Sequence, residues 1–347
     1  MRLSDVPTPA LCVELDAFER NIKRMHSFFL DKPCNVRPHL KAHKTPAIAR
    51  IQRDAGGVGF CCATLPEAET FAAEGFDDLL IANEVCDPSK VERLIALSKK
   101  VKLMVAVDSH AACDILVGTD LDVLIDMNVG MPRCGAPPSE AVELARIATR
   151  AGLHVKGIMG YEGHVTVMTD VEARAEATRK SMDVLLGVAN DLRDNGYAID
   201  IVSAGSTLTY DVTGTIPGIT EIQAGSYALM DTEFSKSSPF EEALRILCTV
   251  VSIQGNIAVL DAGLKTMSVD HGNPGLFPEA KADILYLSDE HTSLVIHDDF
   301  DAKVGERMWL RPSHVDPTVN LHDQLYAFRG DDVEEVWPVT ARGYKSP

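Results

Sequence analysis

The sequence has few features of a disulfide-bonded or redox-active protein. Its 347 residues include eight cysteines, but none of them belongs to a CxxC pair and their density is far below that of a disulfide scaffold. Cys61 and Cys62 are adjacent, and two neighbouring residues of a buried strand explain this pair better than redox chemistry does. We therefore expect a reduced protein of the cytoplasm.

Positive charge and long apolar runs are also scarce. The chain carries 33 lysine and arginine residues against 51 aspartate and glutamate residues, which gives a net charge of −18 at pH 7. This balance argues against a general affinity for nucleic acid or for anionic membranes. No apolar run is long enough to span a bilayer, and residues 1–5 lack the apolar core of a signal peptide. The sequence thus predicts neither a nucleic-acid partner nor a membrane partner.

Short apolar runs alternate with helical patterns over the first two thirds of the chain. Runs such as Leu103–Val107 are apolar at consecutive positions, as in strands that are buried on both faces. Eight strand–helix repeats are typical of a closed (β/α)8 TIM-like barrel, with an open doubly wound sheet as the alternative. The predicted strands cover residues 34–41, 58–62, 78–83, 102–107, 121–127, 155–161, 199–203 and 220–224.

The pattern changes after about residue 240, where strands follow one another with few helical segments between them. We expect a barrel domain over residues 1–240 and a mostly-β domain over residues 241–347, with the first 15 or so residues as candidates for pairing with the β domain. The predicted strands of the second domain are 244–254, 257–262, 283–288, 293–297, 306–311, 325–329 and 333–338.

A cationic segment, Arg37-Pro38-His39-Leu40-Lys41-Ala42-His43-Lys44, stands out in this acidic chain. It follows a predicted strand and precedes a predicted helix start at Thr45-Pro46. A lysine that is crowded by other cations loses its proton more readily than a free lysine, and it then becomes a nucleophile able to form a Schiff base. A basic patch that binds anions is the alternative, and the segment alone leaves the two about even.

Small and hydroxyl-bearing residues follow the last two predicted barrel strands, as Ala204-Gly205-Ser206-Thr207 and Ala224-Gly225-Ser226. Barrel enzymes place their chemistry at the C-terminal strand ends, and the loops after strands seven and eight often bind a phosphate. Glycine lets backbone N–H groups approach an anion, and hydroxyl groups add donors. Each segment alone predicts only a turn, but the two together favour a phosphate site.

Arg133 and Tyr161 also follow predicted barrel strands. Arg133 lies in Gly130-Met131-Pro132-Arg133-Cys134-Gly135, where its guanidinium could meet an oxyanion such as a phenolate. Tyr161 could stack on a planar ligand or bond to it. From these residues alone, a solvated arginine and a packing tyrosine are slightly favoured.

His314 and Asp316 stand two residues apart, so in an extended segment both side chains point to the same face. One imidazole and one carboxylate can hold a divalent cation and leave positions open for substrate and water. Such coordination favours Mn²⁺ or Mg²⁺, with Zn²⁺ or Co²⁺ as alternatives. Without context, a hydrogen-bonded His–Asp pair in a turn is the better interpretation.

Together these motifs resemble the fold-type III pyridoxal 5′-phosphate enzymes, whose barrel is like that of alanine racemase, and within them the group of D-threonine aldolases and D-serine dehydratases. The resemblance runs nearly from end to end. It rests on the segments Thr8-Pro9-Ala10, Pro38–Lys44, Ile81–Val85, Arg133-Cys134-Gly135, Gln223–Tyr227, Leu260–Lys265, Pro312–Thr318 and Ala341-Arg342-Gly343.

The resemblance implies a role for each candidate residue. Lys41 would bind the cofactor covalently with His39 beside it, Arg133 would meet the phenolic oxygen, and Tyr161 would pack against the ring. Gln223 or Tyr227 would face the pyridine nitrogen. The implied phosphate ligands are Gly205, Ser206, Thr207, Gly225 and Ser226, and the implied metal ligands are His314 and Asp316.

The activity implied is retro-aldol cleavage of a D-3-hydroxy amino acid, such as D-threonine or D-allo-threonine, to glycine and an aldehyde. Dehydratases of the group carry His-x-Cys where this chain has His314-x-Asp316, and the aldolases carry His-x-Asp. The alternatives are a metal-dependent D-serine or 3-hydroxy-D-aspartate dehydratase, a non-catalytic pyridoxal phosphate carrier, and a metal-dependent barrel hydrolase without that cofactor. The resemblance also implies a homodimer.

Two departures from the group's pattern concern the predicted substrate pocket. In the aldolases the tyrosine is followed by His-Gly-Ser and by a further histidine, which is absent after Tyr161 here. His164 is therefore the candidate for its acid–base role. The segment Cys61-Cys62-Ala63-Thr64 also differs from Cys-Cys-Gln-Lys, so a different hydroxy amino acid is a plausible substrate.

Overall fold

The computed structural model describes residues 1–277, 282–297 and 302–343. These residues form two compact units. The barrel unit consists of residues 25–41 and 49–225, and the β unit consists of residues 1–24, residues 42–48 and the described part of residues 226–347. Among the helices of the described chain, none is both long and apolar enough to cross a membrane.

Strands and helices alternate along the first part of the chain. Up to residue 225 the strands are β1 (Ala10–Glu14), β2 (Asn35–Val36), β3 (Phe60–Cys62), β4 (Asp78–Glu84), β5 (Lys102–Val107), β6 (Asp122–Asp126), β7 (His154–Met159), β8 (Ile201–Ala204) and β9 (Glu221–Ile222). The helices of this region are α1 (Leu15–Phe29), α2 (Pro46–Asp54), α3 (Leu65–Ala73), α4 (Val91–Ser98), α5 (His110–Ile115), α6 (Ala141–Arg150), α7 (Val171–Asp194) and α8 (Tyr210–Thr213).

Strands dominate the described chain after residue 225. They are β10 (Leu244–Gln254), β11 (Ile257–Leu260), β12 (Gly275–Phe277), β13 (Ala282–Leu287), β14 (Thr292–Ile296), β15 (Arg307–Arg311), β16 (Gln324–Arg329) and β17 (Asp332–Pro338), with the short helix α9 (Val315–Val319) between β15 and β16.

Strands β2 to β9 form a closed barrel. Within the fully described barrel unit they make one parallel sheet in the order β2-β9-β8-β7-β6-β5-β4-β3. The ends of this order also meet, because the Cys61 N–H donates to the Pro38 carbonyl oxygen at 2.9 Å and His39 forms a parallel bridge with Cys61. The predicted (β/α)8 barrel is therefore confirmed, and the open doubly wound sheet is excluded.

The barrel strands are buried on both faces, as their consecutive apolar residues predict. Side chains from five successive strands form one buried cluster, made of Cys61, Leu80, Met104, Ala106, Leu124 and Met159. Cys61 and Cys62 are both buried in β3 and neither forms a disulfide, which confirms the structural interpretation of this pair.

The sheet of the β unit includes a strand from the start of the chain. Its order is β13-β14-β11-β10-β1-β16-β17, and β15 pairs with both β10 and β12. Strand β1 runs antiparallel to β10 and parallel to β16. Strand β12 is absent from the sequence prediction, because three residues are too few to show an alternating pattern.

Arg37 belongs to the barrel wall and is not a free cation beside Lys41. Its buried guanidinium donates to Glu221 Oε2 at 2.9 Å and to Asp78 Oδ1 at 2.6 Å, so its charge is neutralised within the barrel unit. A Cβ at Gly59 would stand 2.1 Å from Arg37 Nη1, so this position requires glycine. The expected crowding of Lys41 by cations is thus wrong for Arg37.

Candidate active site

Lys41 lies at the C-terminal end of β2, in a 3-10 turn formed by Leu40–Ala42. The His39 N–H donates to the Ala224 carbonyl oxygen at 3.0 Å, which ties this turn to the segment after β9. The Lys41 N–H in turn approaches His39 Nδ1 at 3.5 Å. Because β9 and β8 are the next strands of the parallel sheet, Lys41 is at the same barrel end as the predicted phosphate loops.

His43 is not a cationic neighbour of Lys41 either. The ring is fully buried in the β unit, and its Nδ1 accepts a hydrogen bond from the Thr45 N–H at 3.1 Å. A ring nitrogen that accepts a hydrogen bond carries no proton, so this imidazole is neutral.

A buried carboxylate holds the loop that follows β8. Glu162 is fully buried and accepts hydrogen bonds from the Gly205 N–H at 3.2 Å, from Thr209 Oγ1 at 2.7 Å and from Thr213 Oγ1 at 2.8 Å. The Ser206 N–H donates to Thr209 Oγ1 at 2.9 Å. The amides of Gly205 and Ser206 are thus already engaged, and Ser206 Oγ lies 3.1 Å from Thr209 Oγ1.

We expect Glu162→Gln to lower the free energy of unfolding by about 1–3 kcal/mol, because an amide N–H₂ would face buried donors in place of a carboxylate oxygen. The loop would loosen, so the dissociation constant for pyridoxal phosphate should rise in the same variant. Urea unfolding and fluorescence titration with the cofactor measure the two effects. Glu172→Gln, an exposed change in α7, is the control. An unchanged unfolding midpoint would show that the carboxylate is dispensable.

The segment after β9 divides between the two units. In the barrel unit, Gln223 Nε2 donates to Ser203 Oγ at 2.8 Å, and Gly225 is buried. In the β unit, Ser226 begins a 3-10 turn that includes Tyr227. The Tyr227 side chain is fully buried, and its ring centroid is 5.8 Å from that of Phe240. The structure thus shows a packing role for Tyr227.

Arg133 and Tyr161, which the sequence analysis paired with one ligand, lie together. The Arg133 guanidinium stands over the Tyr161 ring, 5.1 Å from its centroid. Both residues line a cavity, together with Asp126, Met127, Asn128, Val129, Met131 and Cys134. Burial, and then repulsion by the Glu84 carboxylate, hold the pKa of Asp126 well above its usual range, against the opposing effect of Arg133. The raised pKa favours the neutral form of Asp126, and in that form no carboxylate charge offsets that of Arg133.

His164 lies in a 3-10 turn just after β7, and its ring fits closely against the loop that follows β6. Gly130 has a φ of +131°, and a Cβ at that position would stand 2.6 Å from His164 Cε1. The buried His164 Nδ1 has no hydrogen-bond partner within residues 1–277, 282–297 and 302–343. An unsatisfied buried ring nitrogen at a strand end is suited to exchanging a proton with a ligand.

His314 and Asp316 do not lie in an extended segment, so the geometric reason given for their pairing is wrong. Helix α9 begins at Val315, with His314 in an extended conformation at its N-cap and Asp316 in its first turn. The helix forms here because the buried Asp231 carboxylate accepts the Val315 N–H at 3.1 Å, which satisfies a donor of the first turn.

The structure places two other residues beside His314. Asp270, His271 and His314 each offer a ligand atom, and these three atoms lie within 4.8 Å of one another. Asp316 is not a member of this cluster. Sequence reasoning missed Asp270 and His271 because they precede His314 by more than 40 residues and carry no local metal-binding spacing.

Two family profiles cover most of the chain. Residues 13–232 match the family described as alanine racemase, N-terminal domain, and residues 243–328 match a putative serine dehydratase domain. The chain belongs to the alanine racemase N-terminal domain family. This membership confirms the resemblance found in the sequence and the alanine-racemase-like character of the barrel.

Several proteins named as aldolases are similar to the chain over nearly its whole length. A D-threonine aldolase from Arthrobacter sp. is 35% identical over 99% of this chain and 94% of its own. A 3-hydroxy-D-aspartate aldolase from Paracoccus denitrificans is 36% identical over 98% of this chain and 93% of its own. The solved structure of D-threonine aldolase from Filomicrobium marinum superposes with a TM-score of 0.95 at 36% identity, covering 99% of this chain and 97% of that one.

Proposed function

We propose that the protein is a pyridoxal 5′-phosphate-dependent and divalent-metal-dependent lyase. Its substrates would be D-3-hydroxy amino acids of the D-threonine or D-allo-threonine type, which it would cleave to glycine and an aldehyde. The observation that carries the proposal is the similarity to two aldolases of such substrates over at least 98% of the chain. The dehydratases of this fold are less similar.

The residues at the C-terminal barrel end fit pyridoxal phosphate. Lys41 supplies an amine, Arg133 supplies a cation for the phenolic oxygen, and Gln223 supplies a neutral partner for the pyridine nitrogen. The unsatisfied Nδ1 of His164 supports a ligand in this region, because buried polar atoms rarely stay unpaired. The proposed phosphate ligands are Ser206, Thr207, Gly225 and Ser226, with Gly205 shaping the first loop and Tyr161, His39 and Tyr227 completing the surroundings.

The chain's residues would divide the work of the reaction. Lys41 would hold the cofactor covalently until the amino group of the substrate takes its place. Pyridoxal phosphate, when bound, would supply an electron sink for the breaking Cα–Cβ bond. His164 would take the proton of the β-hydroxyl group on its ring nitrogen, and Lys41 would return a proton to Cα of glycine.

A divalent cation would supply Lewis acidity towards a hydroxyl group. His314 and Asp316 are its proposed ligands, and an imidazole with a carboxylate suits Mn²⁺ or Mg²⁺ first, and Zn²⁺ or Co²⁺ next. The resemblance to the group further supports a homodimer located in the cytoplasm. The barrel alone would be enough for a pyridoxal phosphate carrier, so the β unit and the similarity of the whole chain to enzymes argue against that alternative.

We expect D-threonine and D-allo-threonine to yield glycine and acetaldehyde in equal amounts, with no release of ammonia. The purified protein, supplied with pyridoxal phosphate, should lose this activity on chelation with EDTA and regain it with Mn²⁺. We would measure this with a substrate panel that also includes D-serine and 3-hydroxy-D-aspartate. Glycine and ammonia are both assayed for each substrate.

Three outcomes would contradict the proposal in different ways. Ammonia with an oxo acid would identify a dehydratase. Activity that survives chelation would show that the reaction does not require a divalent metal. A colourless protein that stays active without pyridoxal phosphate would identify a metal-dependent hydrolase.

A further inference from the structure

A carboxylate orients the imidazole of His314. Asp270 Oδ2 lies 2.8 Å from His314 Nδ1 within the β unit. Since a carboxylate can only accept a hydrogen bond, Nδ1 carries a proton, and in the neutral imidazole Nε2 then keeps its lone pair. Histidines that bind metals usually donate their other ring N–H to such a carboxylate, which fixes the tautomer and the direction of the ring. Because Asp270 occupies Nδ1, the nitrogen of His314 that could bind a cation is Nε2.

The Asp270 carboxylate is itself held in place. Ser268 Oγ donates to Asp270 Oδ1, so each carboxylate oxygen has its own donor. The loop that carries Asp270 is tied to the segment around His314 at two further points. The Ser268 N–H donates to Thr318 Oγ1 at 3.1 Å, and Ser313 Oγ donates to the Gly272 carbonyl oxygen at 2.7 Å. These bonds fix the carboxylate relative to the imidazole before any cation arrives.

His271 holds the plane of the same ring. Its ring stacks on that of His314 with centroids 3.9 Å apart and planes 9° from parallel. The lone pair of each ring nitrogen lies in the plane of its own ring. Because the two rings are stacked with parallel planes, the lone pairs of His271 do not converge with that of His314 Nε2 on one point. The stacked arrangement therefore suits packing and not ligation of the same ion.

We infer that Asp270 and His271 are positioning residues of the metal site, Asp270 by fixing the tautomer of His314 and His271 by fixing the plane of its ring. The inference rests on the proposed role of His314 as a metal ligand. Neither residue follows from the His-x-Asp motif, which lies more than 40 positions further along the chain. Their contribution is to the affinity for the cation, so it can be measured without turnover.

Metal-stripped protein that keeps its pyridoxal phosphate is titrated with Mn²⁺ by isothermal titration calorimetry. We expect Asp270→Ala to raise the dissociation constant about 10- to 100-fold, as loss of such a carboxylate does at other sites. Asp270→Asn should raise it less, because the amide oxygen still accepts from Nδ1. His271→Phe keeps a flat ring for stacking and should bind within about threefold of the wild type, whereas His271→Ala should bind more weakly than His271→Phe.

Controls separate this inference from the proposed function. Asp332→Asn removes one negative charge from an exposed position of the β unit and should leave the Mn²⁺ affinity unchanged. Thermal unfolding shows that each variant is folded. Wild-type affinity in Asp270→Ala, or loss of binding in His271→Phe as severe as in His314→Ala, would overturn the positioning roles alone. Failure of the wild type to bind Mn²⁺, or unchanged binding in His314→Ala, would overturn the metal site and the inference with it.

Discussion

Lys41→Ala is expected to lose the visible absorbance band of the covalent cofactor linkage and to lower kcat for D-threonine on the order of 10³-fold or more, as removal of a nucleophile that acts with its neighbours does. The amine of Lys41 is at the C-terminal end of the barrel, in a turn that hydrogen bonds place beside the segment after β9. No other side chain in that turn can form the linkage. Absorbance spectra and steady-state kinetics of the variant measure both losses.

The neighbouring Lys44 provides the alternative attachment point in the same motif. Its backbone has a φ of +51°, and its carbonyl oxygen accepts from the Ala341 N–H at 3.2 Å in the β unit. Borohydride reduction followed by peptide mapping should place the cofactor on Lys41 in the wild type. Lys99→Ala, an exposed change after α4, is the control and should keep the spectrum and the rate. Label on Lys44, or full activity in Lys41→Ala, would refute the assignment.

The barrel could be predicted because its strands are buried on both faces. A short run of consecutive apolar residues, as in Leu103–Val107, is typical of a strand that is covered on both faces in a parallel sheet. The prediction reproduced the bounds of β5 and β10 residue for residue. Strand β12 and helix α9 are too short for any periodicity, and α9 depends on a carboxylate, that of Asp231, far away in the chain.

The parts of the candidate site that escaped prediction are those built by distant residues. Glu162 had a local signal, since a carboxylate directly after a buried strand must find partners, but its three donors come from the loop and helix that follow β8. Asp270 has no local signal at all, because only the fold brings it to His314. Single motifs therefore indicated which reactive side chains are present, but they could not indicate which distant residues hold those side chains in position.

For Arg37 the sequence indicated an important residue but predicted the wrong role for it. A cation in a cationic segment suggested a neighbour for the reactive lysine. In the structure the guanidinium joins carboxylates from β9 and β4, Glu221 and Asp78, and Asp78 is also bonded to Lys102 of β5 at 2.7 Å. The buried charges of Arg37 and Glu221 are costly alone, so each of these two requires its partner.

Arg37→Met is therefore expected to lower the free energy of unfolding by about 3–5 kcal/mol, because Glu221 would remain buried without its partner. The side chains of Arg37 and Glu221 are only 5% and 6% exposed, so water cannot replace the lost contact. Urea unfolding of both proteins gives the difference. The double variant Arg37→Met, Glu221→Gln should recover part of the loss, since no unpaired charge then remains at that position.

The exposed pair Arg20–Glu241 provides the matched control, because it has the same chemistry at 2.8 Å with side chains 55% and 46% exposed. Arg20→Met should lower the free energy of unfolding far less than Arg37→Met does, because water screens an exposed ion pair. Equal losses in Arg20→Met and Arg37→Met would show that burial does not set the cost.

The stability difference between the wild type and Arg37→Met should also depend on pH. Burial alone would raise the pKa of Asp78, yet Arg37 and Lys102 together hold it below its usual range. A carboxyl group whose pKa is lowered by folding stabilises the protein above its unfolded-state pKa and loses this contribution as the pH falls through the lower folded-state pKa. Acid therefore removes from the wild type the stabilisation by ionised Asp78 that Arg37→Met already lacks at pH 7. The difference between the two unfolding free energies should narrow as the pH falls below the pKa of aspartate in the unfolded chain. Unfolding curves at a series of acidic pH values test this, and a difference that stays constant or widens would show that Arg37 does not act through its charge.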